Sequence, residues 1–181
     1  MYGLVNKAIE DMVVAKFGVN KWELIKQRAN VEIDVFISME SYPDDITYRL
    51  VGAASEVLDI PQNVMLEDFG RFWVLFTGNT AYGPLLNSAG ATIQECLASL
   101  DQMHRQVGLA LPYLKPPSFY VANSTPESMQ VHYLSERKGL APMVVGLLRG
   151  LGELYHQPVT VEHDAKLTTE HSHDVFTLLF V

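Results

Sequence analysis

The chain has a single cysteine, Cys96. No internal disulfide can form, which fits a reducing, cytoplasmic setting. Basic residues are few: 13 Lys and Arg stand against 21 Asp and Glu, giving a formal net charge of −8. The cations form no dense run, which argues against a nucleic-acid partner. No apolar run is long enough to span a bilayer, and no charged-then-apolar leader opens the chain. Neither a membrane span nor a secretory signal is therefore expected. Internal repeats and low-complexity tracts are absent as well. What the chain does have is hydrophobic content, 48% over 181 residues. That is enough for a sizeable core and a lined pocket, in one large domain or two intimate subdomains.

The first half reads as helical. Leu4 to Phe17 repeats at helical spacing, with Gly18 as its stop. Lys21 to Arg28 forms a second helix carrying Trp22, Leu24 and Ile25. Asp44-Asp45 is expected to cap a helix running to Leu58. Pro61 opens the next, through Met65, Phe69, Phe72 and Trp73. Gly78-Asn79 punctuates, and Gly83-Pro84 opens another short helical stretch. A helix follows from about Thr92 to Leu111. The prolines of Leu111 to Pro117 forbid regular helix, since Pro removes an amide donor and restricts the residue before it. After them the period changes to two. Ser118–Asn123, Ser128–Ser135, Val159–Asp164 and Asp174–Val181 read as strands, with a helix from about Gly139 to Tyr155 between the second and third. The fold class is α+β: a helical N-terminal part, then a four-stranded antiparallel sheet with helices.

Two features carry chemistry. Met129, Val131, Tyr133, Ser135 and Arg137 alternate on what is expected to be one continuing strand face. That face begins apolar and ends in a phenol, a hydroxyl and a guanidinium. Either the strand runs out into solvent, or these groups grip a carboxylate, which Arg can hold bidentately. Upstream, Ile93, Leu97, Leu100, His104, Val107 and Leu111 make one helical stripe. His104 sits within it, flanked on the polar side by Asp101, Gln102, Arg105 and Gln106. It is either a core histidine bonded to backbone or an axial ligand for haem iron. The two features answer each other, because haem needs one iron ligand and partners for two propionates.

With these residues the chain resembles the H-NOX (haem nitric oxide/oxygen binding) family, of the cyanobacterial type and similar to the haem domain of the soluble guanylate cyclase beta subunit. The resemblance covers essentially the whole chain. It rests on the opening Met1-Tyr-Gly-Leu-Val-Asn6, on Leu50-Val-Gly-Ala-Ala-Ser-Glu-Val-Leu58, on Leu100-Asp-Gln-Met-His104, and on Lys115-Pro-Pro-Ser-Phe119. The Y-x-S-x-R motif, Tyr133, Ser135 and Arg137, completes it. A single domain over residues 1–181 is implied, with subdomains of about 1–60 and 61–181 and haem b (iron protoporphyrin IX) held between them. The resemblance implies His104 as the proximal iron ligand and Tyr133, Ser135 and Arg137 as the propionate clamp. It implies that Pro117 distorts the macrocycle, and it places Val5, Trp73 and Met143 in the cofactor-binding set.

In the oxygen-binding branch of that family a distal Tyr donates a hydrogen bond to the gas. Aligning the helix on Gly146 puts Met143 there, after Pro142, and neither can donate. Trp73 has an indole N–H but reads equally as packing. The expectation is therefore a sensor of nitric oxide, with carbon monoxide also binding, and no catalytic group. The chain ends at Val181, so the signal is expected to pass to a separate protein, such as a histidine kinase or a cyclase. A haem-dependent oxygenase or peroxidase, an oxygen-binding haem protein, and a haem-free binder of an acidic ligand are the alternatives. Some family members carry a cysteine zinc site, which one cysteine cannot build. Among the late histidines, His171 and His173 could share a metal or lie in a solvated loop, with His156 and His163 nearby in sequence. His132 alternates away from Tyr133 and is expected on the solvent side.

Overall fold

A computed structural model describes residues 1–78, 83–84, 88–111, 113–164 and 173–180. The chain divides into two compact units, Met1–Phe69 and Gly70–Val181.

The first unit is helical. α1 spans Gly3–Phe17, α2 Val19–Arg28 and α3 Asp44–Leu58, and α4 (Gln62–Gly78) begins here. Gly18 separates α1 from α2 at φ 86°, in the left-handed region where a Cβ is strained. The core is set by the helical stripes: Ile9, Met12 and Val13 of α1, Trp22 and Ile25 of α2, and Leu50 and Ala54 of α3 are all buried. Leu24 is on the exposed side of α2, 48% accessible. Thr47 Oγ1 donates to Asn6 Oδ1 at 2.6 Å within that core, tying α1 to α3. Asn6 Nδ2 is buried with no hydrogen-bond acceptor among the described residues, a placement that costs about 1–3 kcal/mol. The expected cap at Asp44-Asp45 is corrected. Pro43 takes the N-cap position, and both aspartates lie inside the first turn. There they favour the positive end of the helix dipole, while Asp44 pairs with the Met1 amino group and Asp45 with Arg49.

The second unit contains α5 (Ile93–Ala110), β1 (Ser118–Ala122), β2 (Ser128–Leu134), α6 (Ala141–Leu154), β3 (Val159–His163) and β4 (Asp174–Phe180). The four strands form one antiparallel sheet in the order β1-β2-β4-β3. Period-two alternation sends Phe119, Met129, Val131, Tyr133, Phe176, Leu178 and Val161 to one buried face. Val144, Leu148 and Leu151 of α6 cover it, together with Ile93, Cys96, Leu97 and Leu100 of α5 and Val74 of α4. α4 and α6 approach closely at Gly70, where an added Cβ would lie 2.0 Å from the Met143 carbonyl oxygen. The expected α+β class is what the structure has, with six helices among the described residues. The short helical stretch expected after Gly83-Pro84 falls largely outside the described residues. No helix among the described residues is long and apolar enough to cross a membrane.

Candidate functional site

α5 starts with Thr92 at the N-cap, whose hydroxyl accepts from the Glu95 amide at 3.2 Å. Glu95 in turn accepts from the Ala91 amide at 2.8 Å, so the helix start is braced from both directions. Ile93 and Leu97 fasten its first turns into the core. Three turns from that start, His104 is half-buried. Its Nδ1 lies 3.1 Å from the Pro117 carbonyl oxygen. A carbonyl only accepts, so the Nδ1 proton is held there and the lone pair resides on Nε2. Burial lowers the His104 pKa, opposed by the Pro117 hydrogen bond and by the Asp101 charge. Burial thus favours the neutral ring, whose lone pair lies on Nε2.

Asp101, one turn before His104, binds the same segment. Ser118 Oγ donates to Asp101 Oδ1 at 2.6 Å, the Phe119 amide donates to the same carboxylate, and Arg105 pairs with it. The Ser118 hydrogen bond leads in holding the Asp101 carboxyl below its usual range. Residues Pro117 to Phe119 are therefore stitched to α5 at three points. Phe119 is buried and stands between the two sequence features: its ring centroid is 5.7 Å from His104 and 5.2 Å from Tyr133. Sequence reasoning missed Asp101 and Phe119 as site residues. The available signals were the i, i+3 spacing of Asp101 and His104, and the direct pairing of Phe119 with Tyr133 on adjacent strands.

The expected single strand face is corrected beyond Tyr133. β2 ends at Leu134, and residues 136–139 bend. The Ser135 hydroxyl accepts from the Arg137 amide at 3.1 Å, a turn that competes with strand continuation. Arg137 Nη1 then donates to the Lys115 carbonyl at 2.7 Å. Arg137 is brought to the 115–119 segment by this turn and contact, and strand alternation plays no part. His104, Tyr133 and Arg137 thus each meet the stretch 115–119, to which Pro117 belongs, and Ser135 holds the turn that carries Arg137 there.

Trp73 on α4 and Met143 on α6 are both half-buried in the second unit. The Trp73 ring is 6.1 Å from Phe76. Met143 lies in the first turn of α6, with its carbonyl against Gly70. Val5 is half-buried on α1 in the first unit. His132 is corrected: it does face away from Tyr133, but it is 7% accessible, beneath Tyr120 and beside His173. His163 pairs with Asp174 at 2.9 Å, and His171 lies outside the described residues. Among the described residues no three His, Cys, Asp or Glu side chains are grouped to hold a metal ion.

A family model described as Haem-NO-binding (HNOB) matches residues 2–163. This chain belongs to the Haem-NO-binding family. Its members are haem sensor domains with no catalytic site of their own. Among curated proteins, this Haem-NO-binding chain is 28% identical to the soluble guanylate cyclase gcy-31 of Caenorhabditis elegans, over 92% of its own length and 25% of that protein. The chain thus spans about a quarter of the curated relatives it matches. Among solved structures it is similar to an H-NOX protein from S. oneidensis in the Fe(II)NO state, with TM-score 0.88 and 20% identity, covering 100% of this chain and 99% of that one. It also resembles an oxygen-binding H-NOX domain related to soluble guanylate cyclases, with TM-score 0.79 and 18% identity over 99% of this chain and 95% of that one. At these identities the structural likeness shows the Haem-NO-binding fold alone.

Proposed function

We propose that this chain is a haem-based sensor that prefers nitric oxide, also takes carbon monoxide, and reports to a signalling partner. One observation carries the reading: the His104 Nδ1–H is committed to the Pro117 carbonyl, which presents Nε2 as the ligand atom. The donor set fits a haem b. His104 offers one neutral imidazole nitrogen beside the apolar Phe119 ring. Tyr133, Ser135 and Arg137 offer two hydroxyls and a guanidinium to a pair of carboxylates. Pro117 adds a rigid ring next to the ligand helix. When bound, the haem supplies a ferrous iron with an open position for a diatomic gas.

The residues themselves define the output. His104 belongs to a stitched unit of α5 and residues 117–119, so relaxation of its ring shifts the helix against that segment. Movement of α5 biases a two-state element, and a partner of histidine kinase or cyclase type reads it. Met143, an acceptor at best, gives oxygen no hydrogen-bond donor at its position on α6. The single cysteine, Cys96, is buried, in keeping with a cytoplasmic setting.

Absorption spectra of the purified protein test this reading. The expected result is a five-coordinate ferrous haem that binds nitric oxide and carbon monoxide, forms no lasting oxygen complex in air, and turns over no peroxide. His104→Gly should lower haem content or need added imidazole to restore the ferrous spectrum. An unchanged spectrum without imidazole would remove His104 from the role.

A further inference from the structure

On the sheet face opposite Tyr133, three side chains meet at one atom. His132 Nδ1 lies 2.8 Å from His173 Nε2. Tyr120 Oη lies 3.2 Å from the same nitrogen. Tyr120 and His132 are cross-strand partners on β1 and β2, with rings stacked at 4.3 Å and 14°. His173 enters from the residue before β4, its ring 5.1 Å from that of His132.

Hydrogen bonding alone serves this arrangement poorly. An imidazole Nε2 carries either one lone pair or one proton. As an acceptor it has one lone pair for two donors, and as a donor it has one proton for two acceptors. A metal ion removes the conflict by taking one lone pair from each atom. The spacing is close to what a metal needs, since nitrogen ligands 2.0–2.1 Å from a tetrahedral Zn²⁺ sit about 3.3–3.4 Å apart. His132 and His173 would part by only about half an ångström to reach it. Two imidazoles and a phenol, with no carboxylate among them, suit a borderline first-row cation and not Mg²⁺ or Ca²⁺.

We propose that Tyr120, His132 and His173 form a binding site for a borderline divalent cation such as Zn²⁺, with solvent completing the coordination sphere. The site is distinct from that of His104, whose ring meets Phe119 on the other side of β1. It staples β1, β2 and the start of β4 from the face that α6 does not cover.

The test is equilibrium dialysis of the tag-free protein against Zn²⁺, with zinc and iron counted separately in each sample. Wild type should retain about one zinc per chain, and His173→Gln should bind it roughly tenfold more weakly or worse, since even the loss of a supporting group costs that much. Tyr120→Phe keeps the ring stacked on His132 and deletes only the oxygen, so it guards against a folding defect in the first variant. It should weaken zinc several-fold, and both variants should keep the wild-type haem spectrum and melting temperature in the absence of zinc. Wild type retaining no zinc overturns the proposal. So does His173→Gln or Tyr120→Phe binding zinc as tightly as wild type.

Discussion

Gly70→Ala should destabilise the second unit by prying α4 from α6. The added Cβ would sit 2.0 Å from the Met143 carbonyl oxygen and 2.8 Å from the Leu147 amide nitrogen, where ordinary contact begins at 3.4 Å. Both neighbours are backbone, so no side chain can rotate away and the helices themselves must separate. Overpacking of this kind costs about 1–3 kcal/mol. Alanine's better helix propensity offsets up to about 1 kcal/mol of that. With backbone on both sides the overpacking lies in the upper part of that range, so the expected net loss is about 1–2 kcal/mol, which for a chain of this size lowers Tm by roughly 2–8 °C. Gly108→Ala is the control. A Cβ at Gly108 on α5 meets nothing within 4 Å among the described residues, so the same substitution should raise stability by up to about 1 kcal/mol. Calorimetry or urea titration of the haem-loaded proteins separates the two. Since Met143 lies at the contact, Gly70→Ala should also alter the carbon monoxide spectrum, whereas Gly108→Ala should not. A Gly70→Ala protein with the wild-type Tm would refute the close helix approach.

Arg137→Ala should speed haem dissociation, because a charge-assisted hydrogen bond contributes about 1.5–3 kcal/mol and each 1.4 kcal/mol is a factor of roughly ten. Arg137→Lys should recover only part of the loss, since an ammonium lacks the planar fork. Stopped-flow haem transfer to an acceptor protein measures both, and wild-type retention in Arg137→Ala would place the propionates elsewhere. Met143→Tyr should move the protein toward oxygen binding: one neutral hydrogen bond of about 0.5–1.5 kcal/mol can slow oxygen release by roughly an order of magnitude. Aerobic spectra of the ferrous proteins decide it, and a long-lived oxygen complex in wild type would show that another donor, such as Trp73, already serves the gas. Stability should also fall at both ends of the pH range. Burial lowers the His104 pKa, so the unfolded chain binds the proton first, and the haem-free protein loses stability as pH drops below 6.5. Burial raises the Cys96 thiol, with the partly buried Tyr155 phenol shifted the same way, so stability declines as pH climbs past 9.0, where the unfolded thiol ionises. Urea midpoints between pH 5 and 10 would contradict this if they stayed level outside the neutral range.

Local periodicity alone determined much of this protein. The stripe through Ile93, Leu97 and Leu100 places His104 on the inward side of α5, because a residue's direction on a helix follows from its spacing. The alternation Met129, Val131, Tyr133 likewise selects the buried face of β2. Pro112, Pro116 and Pro117 mark the change from helix to sheet, since a missing amide donor acts on its own neighbours. What depended on contacts distant in sequence was not readable this way. The tautomer of His104 is set by the Pro117 carbonyl, the stitching of residues 117–119 by Asp101, and the position of Arg137 by the Lys115 carbonyl across a turn. The same holds for His132, which alternation assigns to the correct face but which Tyr120 and His173 bury. Periodicity states which way a side chain points along its own element; what it meets there depends on another segment's path, and that is settled only when the chain closes on itself.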